Sequence, residues 1–220
     1  MGNIVGSPCE NAGADLPGRA ESRTPSTSGW CAFAERKESG NFWPGRGSQK
    51  TKAVVLHIAE TTFQGAVSWL TDPTSNASAH FVVGKDGRIA QLVSINDTAW
   101  ANGLSYANGV WLTQFDKQQV PANPSWDGLI KDVNPNWYTV SIEHEGQRWE
   151  KWTSAMYDAN LKLLKWIKES LLLNYILHES LIGHYEIDPI ARCYCPGPCV
   201  EWERIVKDLE CVPKLYLDLL

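Results

Sequence analysis

The sequence predicts an α/β protein with a mixed central β-sheet flanked by helices, and three observations carry that prediction. Ala53–Ile58 (AVVLHI) is a continuous apolar run, the pattern of a strand buried on both faces. Residues 79–83 and 89–93 flank GKDGR and read as a β-hairpin, with Asp86-Gly87 suited to a tight primed turn. Strand patterns then alternate with helical ones, which puts helices over the faces of a sheet; the hairpin makes that sheet mixed.

The elements follow in order. Residues 1–46 are rich in Gly, Pro, Ser and Thr and read as an irregular N-terminal extension, with at most one short helix near 32–37. Trp30, Phe33, Phe42 and Trp43 can pin it to the domain of residues 47–220 as a brace. After the first strand, Thr61-Thr62 offers a cap for a helix over 63–70, ended by Asp72-Pro73. The hairpin follows, then a short helical turn at 96–100. Residues 104–136 form a long Pro-, Asn- and Trp-bearing segment with one helix near 126–133; a loop of that length is functional or an insertion. A strand over 138–143 precedes a long helix from Thr153 to about residue 173, whose Met156, Leu163, Ile167 and Leu171 share one core-facing stripe. Residues 180–183 make a short strand, and residues 199–209 a final helix with Val200, Ile205 and Leu209 inward.

Composition removes several function classes. A chain of 220 residues with 43% hydrophobic content can bury a full core. Net charge is −5 and no basic run interleaves with aromatics, so no nucleic-acid partner is expected. No stretch approaches the roughly 20 apolar residues of a membrane span. The N-terminus MGNIVGSPCENAG has neither a basic leader nor a long apolar segment, so a product made in a cytoplasm without a signal peptide is expected. Six cysteines leave an odd number if one is a metal ligand, which argues against a complete disulfide framework. The 11 tryptophans can build core or sugar-stacking floors; Trp126 and Trp137, in the long segment, are the candidates for the second use, and the others more often belong to the core.

The chemistry concentrates in GHYEIDPIARCYCPGP, residues 183–198. His184 and Cys195 can supply two ligands of a catalytic zinc, which takes three protein ligands and keeps one position open. His57, at the end of the first strand, is the natural third. Cys193 can replace Cys195, and a closed structural site of Cys193, Cys195 and Cys199 is the alternative arrangement. Glu143 and Glu145 are two apart on a strand and so share a face, which leaves both as candidate bases. His144 then faces the packing side, and His178 belongs to the surface.

LHIAE (56–60), SAHFVVGKDGRIAQLV (78–93), Trp100-Ala101-Asn102-Gly103, VSIEHEG (140–146) and GHYEIDPIARCYCPGP stand in one order. That order and spacing resemble the zinc-dependent, type 2 N-acetylmuramoyl-L-alanine amidases, which include peptidoglycan recognition proteins and phage endolysins. The resemblance covers roughly residues 41–209. It implies Zn2+ held by His57, His184 and Cys195, Glu143 as the proton-transferring acid, and His80 in a structural or site-lining role. It departs from the family at Ile58, where a second His is frequent, and at Ala101, which stands for a His inside AW-x-x-G. Ala79 stands where phage enzymes carry a Tyr, which strengthens Glu143. The basic residue two before the third ligand is replaced by Cys193, and Arg192 is the candidate to do its work at the oxyanion. The resemblance further implies bacterial peptidoglycan as partner, a monomer, and an endolysin made in the host bacterial cytoplasm that acts on the cell wall after release. A non-catalytic recognition protein and a muropeptide-recycling amidase are the alternatives.

Overall fold

The computed structural model describes residues 28–210. Cys9, Cys211 and the Ser/Thr-rich stretch before Ser28 lie outside them. In chain order the elements are β1 (Glu35–Arg36), β2 (Phe42–Trp43), β3 (Ala53–Ile58), α1 (Phe63–Thr71), β4 (Phe81–Val83), β5 (Ile89–Gln91), β6 (Thr98–Ala99), β7 (Leu104–Ala107), β8 (Val110–Phe115), β9 (Gln118–Ala122), β10 (Thr139–His144), α2 (Ser154–Leu171), β11 (Leu181–Gly183), α3 (His184–Ile187) and α4 (Trp202–Glu210). Six strands form the central sheet in the order β1-β5-β4-β10-β3-β11. β4 and β5 are antiparallel; the other neighbours run parallel, so the sheet is mixed as the sequence predicts.

The sheet's two faces sort by the period of the strand. Val54 and Leu56 of β3, with Val140 and Ile142 of β10, pack against α2. Ala53 and Val55 face a second cluster with Leu104, Trp126 and Tyr138. Thr153 caps α2 by accepting from the Met156 N–H at 3.1 Å, and Met156, Leu163 and Ile167 are fully buried. Each such side chain contributes about 1.5–3 kcal/mol of burial. Thr62 caps α1 in the same way, accepting from the Gly65 N–H.

Several expectations are corrected. The hairpin connection is not a two-residue primed turn. Gly87 N–H donates to the Gly84 carbonyl at 3.0 Å and only Gly87 (φ 86°) is left-handed, so this is a type I turn closed by a left-handed glycine. Residues 96–100 are not helical; Thr98–Ala99 pairs with Phe42–Trp43 of the extension. The segment 104–122 is a three-stranded antiparallel sheet, and the helix near 126–133 is absent, its backbone being tied to Glu186 and to the Tyr138 hydroxyl instead. Residues 32–37 form a turn leading into β1, and α4 starts at Trp202, with Val200 buried ahead of it.

The extension joins the sheet directly. β1 adds an edge strand beside β5, and Gln91 accepts from the Cys31 N–H while donating to the Gly29 carbonyl. Arg46 is the deeper anchor. Its guanidinium donates to Thr139 O at 2.6 Å and Ile95 O at 2.7 Å, and lies 3.0 Å from His80 Nε2. Burial pulls its pKa down to about 10, partly opposed by Asp97. Removing the guanidinium strands buried carbonyls, so Arg46→Met should lower stability by about 3 kcal/mol in urea denaturation. Lys37→Met, which breaks only the exposed pair with Glu35, should change it little.

Candidate active site

Three adjacent parallel strands end at one edge of the sheet and deliver the chemistry there. β3 lies between β10 and β11, and the register pairs His57 with Glu143 directly. Gly183 pairs with Leu56, so His184 emerges one residue later at the same level and opens α3. The carboxyl ends of parallel strands are where α/β sheets commonly place ligands. Cys195 comes back to this edge on the following loop, where its Sγ accepts from the Ile58 N–H at 3.3 Å.

His57, His184 and Cys195 are all buried, and one ligand atom from each lies within 4.8 Å of the other two. The two Nδ1 atoms face each other at 2.9 Å. Glu143 Oε1 lies 3.9 Å from His57 Nδ1, and Glu143 Oε2 is buried without a hydrogen-bond partner. His184 donates from Nε2 to the Asn102 carbonyl at 3.0 Å, which leaves its Nδ1 lone pair turned to the cluster. His57 Nε2 is buried and has no such partner among the described residues.

Burial sets the protonation states. It brings His184 down to about 4 and His57 well below its ordinary value, helped in His57 by the neighbouring His184 and Arg192. Both rings are therefore neutral at pH 7, the state a metal ligand requires. Burial also pushes Glu143 up to about 7, against the pull of Arg192. It raises the Cys195 thiol far above its usual range, so that thiol waits for a cation to ionise it.

The cluster forms the floor of a cleft of about 460 Å³. Ile58, Glu60, Trp69, Trp100, Ala101, Arg148, Arg192, Cys193 and Tyr194 are among its walls. Arg192 is exposed at the cleft, and among the described residues its guanidinium donates to the neighbouring Ala191 carbonyl alone. Cys193 is exposed and stands apart from the three ligand atoms. Among the described residues no second group of three metal-ligating side chains occurs, so Cys193 and Cys199 do not build a closed site with Cys195. No disulfide joins the four cysteines described.

Glu145 is separated from Glu143 by the end of β10. Its carboxylate accepts from the Lys85 N–H at 2.7 Å, away from the cluster. His144 packs on the other face as expected, stacked on Trp152 at 3.9 Å and donating to the His57 carbonyl at 2.9 Å. His80 is structural; its Nδ1 accepts from the Ser141 N–H. His178 is half exposed, yet bonded to the buried Glu186. The tryptophan assignment is corrected. Trp126 is 3% exposed and donates to the Glu179 carbonyl, and Trp137 stacks on Trp43 at 5.0 Å, while the exposed rings are Trp69 and Trp149.

Two contributors escape sequence reasoning. Asn136 Oδ1 accepts from the Ala101 and Asn102 N–H groups, curling that segment so that the Asn102 carbonyl meets His184. Glu60, at φ 53°, clasps Arg148 across the cleft wall with Oε2 2.6 Å from the guanidinium. Neither contact has a local signature, because each joins segments far apart in the chain.

If the cluster holds a metal, Cys195→Ser should lose most of the metal measured in the purified protein, while Cys193→Ser should keep it. Equal loss in the two variants would contradict the geometry.

The sequence pattern of N-acetylmuramoyl-L-alanine amidases matches residues 47–198. N-acetylmuramoyl-L-alanine amidase A of Achromobacter lyticus is 30% identical over 121 residues, covering 54% of this chain and 51% of the relative. The 1,6-anhydro-N-acetylmuramyl-L-alanine amidase AmpD of Haemophilus influenzae is 29% identical over 133 residues, 60% of this chain and 59% of the relative. The chain thus spans between half and three-fifths of the length of these two relatives. A selenomethionine AmpD crystal structure shares the fold with a TM-score of 0.62 at 21% identity, covering 83% of this chain and 97% of that one. An E90A mutant of PlyL does so at 0.57 and 13% identity, covering 81% and 98%. The matched region takes in every strand and ligand of the cluster just described, and the chain belongs to the N-acetylmuramoyl-L-alanine amidase family.

Proposed function

We propose that this chain hydrolyses the amide bond between N-acetylmuramic acid and L-alanine in peptidoglycan, with zinc held by His57, His184 and Cys195. The observation that carries the reading is the convergence of two neutral imidazoles and a thiol within 4.8 Å on a cleft floor, beside a buried carboxyl raised to about 7. Two nitrogens and one sulfur suit zinc, and three protein ligands leave a position free for chemistry. Bound there, zinc would polarise the amide carbonyl and acidify a water for attack.

This chain's residues do the rest. Glu143 takes the proton of the attacking water and returns it to the L-alanine nitrogen as the C–N bond breaks. A carboxyl titrating near neutrality is suited to both halves of that transfer. Arg192, a cation at the cleft, offsets the charge that gathers on the carbonyl oxygen. The Asn102 carbonyl keeps the His184 ring in one tautomer and one orientation.

The substrate we favour is the wall polymer, cut by a monomeric endolysin that is made in a host bacterial cytoplasm and acts on the wall after release. The exposed Trp69 beside the cleft supports a polymer. The relatives named 1,6-anhydro-N-acetylmuramyl-L-alanine amidase support a second reading, a recycling enzyme acting on soluble muropeptides. No helix among the described residues is long and apolar enough to cross a membrane.

Mass spectrometry of purified peptidoglycan after digestion, with and without a chelator, tests the chemistry. Chelator-sensitive release of stem peptides with free L-alanine amino ends is expected; wall bound but uncut would indicate a recognition protein, and new reducing ends a glycosidase. Glu143→Gln should keep its metal while turnover falls by about 10²–10⁴-fold. Undiminished turnover would remove Glu143 from proton transfer.

A further inference from the structure

Trp149 and Tyr194 form a pair of open rings at the edge of the cleft. They are 61% and 46% exposed, with centroids 4.8 Å apart and planes tilted by 50°. Tyr194 stands between Cys193 and Cys195 and lines the cleft; Trp149 follows Arg148, which lines it too. Neither ring is buried by the fold, and exposed tryptophan forgoes a large burial gain. The backbone that presents Trp149 is nevertheless tied down. Arg148 is clasped by Glu60, the Cys199 thiol donates to the Trp149 carbonyl at 3.4 Å, and Lys85 pairs with Glu150 at 2.7 Å.

A cleft of about 460 Å³ has the size that encloses a ligand of drug-like dimensions, so a polymer acted on at its floor must leave over the rim. The rim rings are amphipathic, and Arg148 and Arg192, within two residues of them in the chain, line the cleft, Arg192 with no carboxylate partner among the described residues. A sugar ring offers the matching chemistry, with C–H faces for the aromatic faces and hydroxyls for the donors. We propose that Trp149 and Tyr194 are a saccharide-stacking subsite that grips the glycan strand of polymeric peptidoglycan where it leaves the cleft. This rests on the amidase reading and adds to it the residues that would hold the glycan strand outside the cleft.

The test compares wild type, Trp149→Ala and Trp149→Phe, with Phe115→Ala as a control on a distant exposed ring. Two rates are measured for each metal-loaded protein: stem-peptide release from purified sacculi and from soluble disaccharide-peptide monomer. Binding to sacculi is measured separately by sedimentation. Trp149→Ala should lower the sacculus-to-monomer rate ratio and the sedimented fraction by about tenfold, Trp149→Phe should recover most of both, and the control should match wild type. Equal loss on both substrates, or no loss of sedimentation, overturns the subsite and turns the rings toward a peptide or protein partner. If wild type releases no stems from either substrate the amidase reading fails, and sedimentation alone then decides the subsite.

Discussion

The parallel register of β3 between β10 and β11 is the constraint on which the site depends. It aligns His57 with Glu143 and brings His184 to the same level one residue past Gly183. Side chains alternate across a strand, so a slip of one residue would carry His57 to the α2 face and replace it with an aliphatic neighbour. The register is held by what lies behind it. Val54, Leu56, Val140 and Ile142 pack on α2, and a one-residue slip of either strand would pull its pair off that helix. His144 adds a polar lock, donating to the His57 carbonyl from the buried face.

Burial is the second theme, and it works in one direction on every member of the cluster. It neutralises two histidines, raises a carboxyl to about 7 and suppresses ionisation of a thiol. A site of this kind is electrically quiet until a cation enters, and a cation is what its unpartnered atoms suit. The open charges, Glu60, Arg148 and Arg192, lie outside it on the cleft walls. On the proposed reading, chemistry falls to the buried floor and substrate grip to the exposed rim.

The extension shows how far local reading reaches. Its aromatic residues announce attachment, and Trp43 does stack on Trp137. Its strongest anchor, Arg46, reads as an ordinary surface cation until Thr139 and Ile95 surround it. The region 104–122 carries a local hairpin signal: Asn108-Gly109 between short β-branched and aromatic runs forms a two-residue loop with both residues left-handed (φ 52° and 82°). Asp116-Lys117 makes the second such loop, at φ 47° and 64°, without a glycine to reveal it. Trp126 lies in a Pro- and Asn-rich segment whose composition predicts exposure; its indole instead donates to the Glu179 carbonyl and packs beside the buried Tyr138.

By itself the sequence determined the buried strand AVVLHI, the Thr62 and Thr153 caps, the α2 stripe, and the ordered motifs that nominated His57, Glu143, His184 and Cys195. The strand, the caps and the stripe are local patterns of period and cap chemistry; the motifs nominate those four residues through an order along the chain that resembles the amidase family. Tertiary structure alone decided that Glu143 and not Glu145 stands beside His57, that Cys195 and not Cys193 joins the two histidines, that Asn136 and Asn102 support His184, and which tryptophans stay in solvent. Each of those depends on a contact between segments tens of residues apart, and only the packed sheet and its loops bring such segments together.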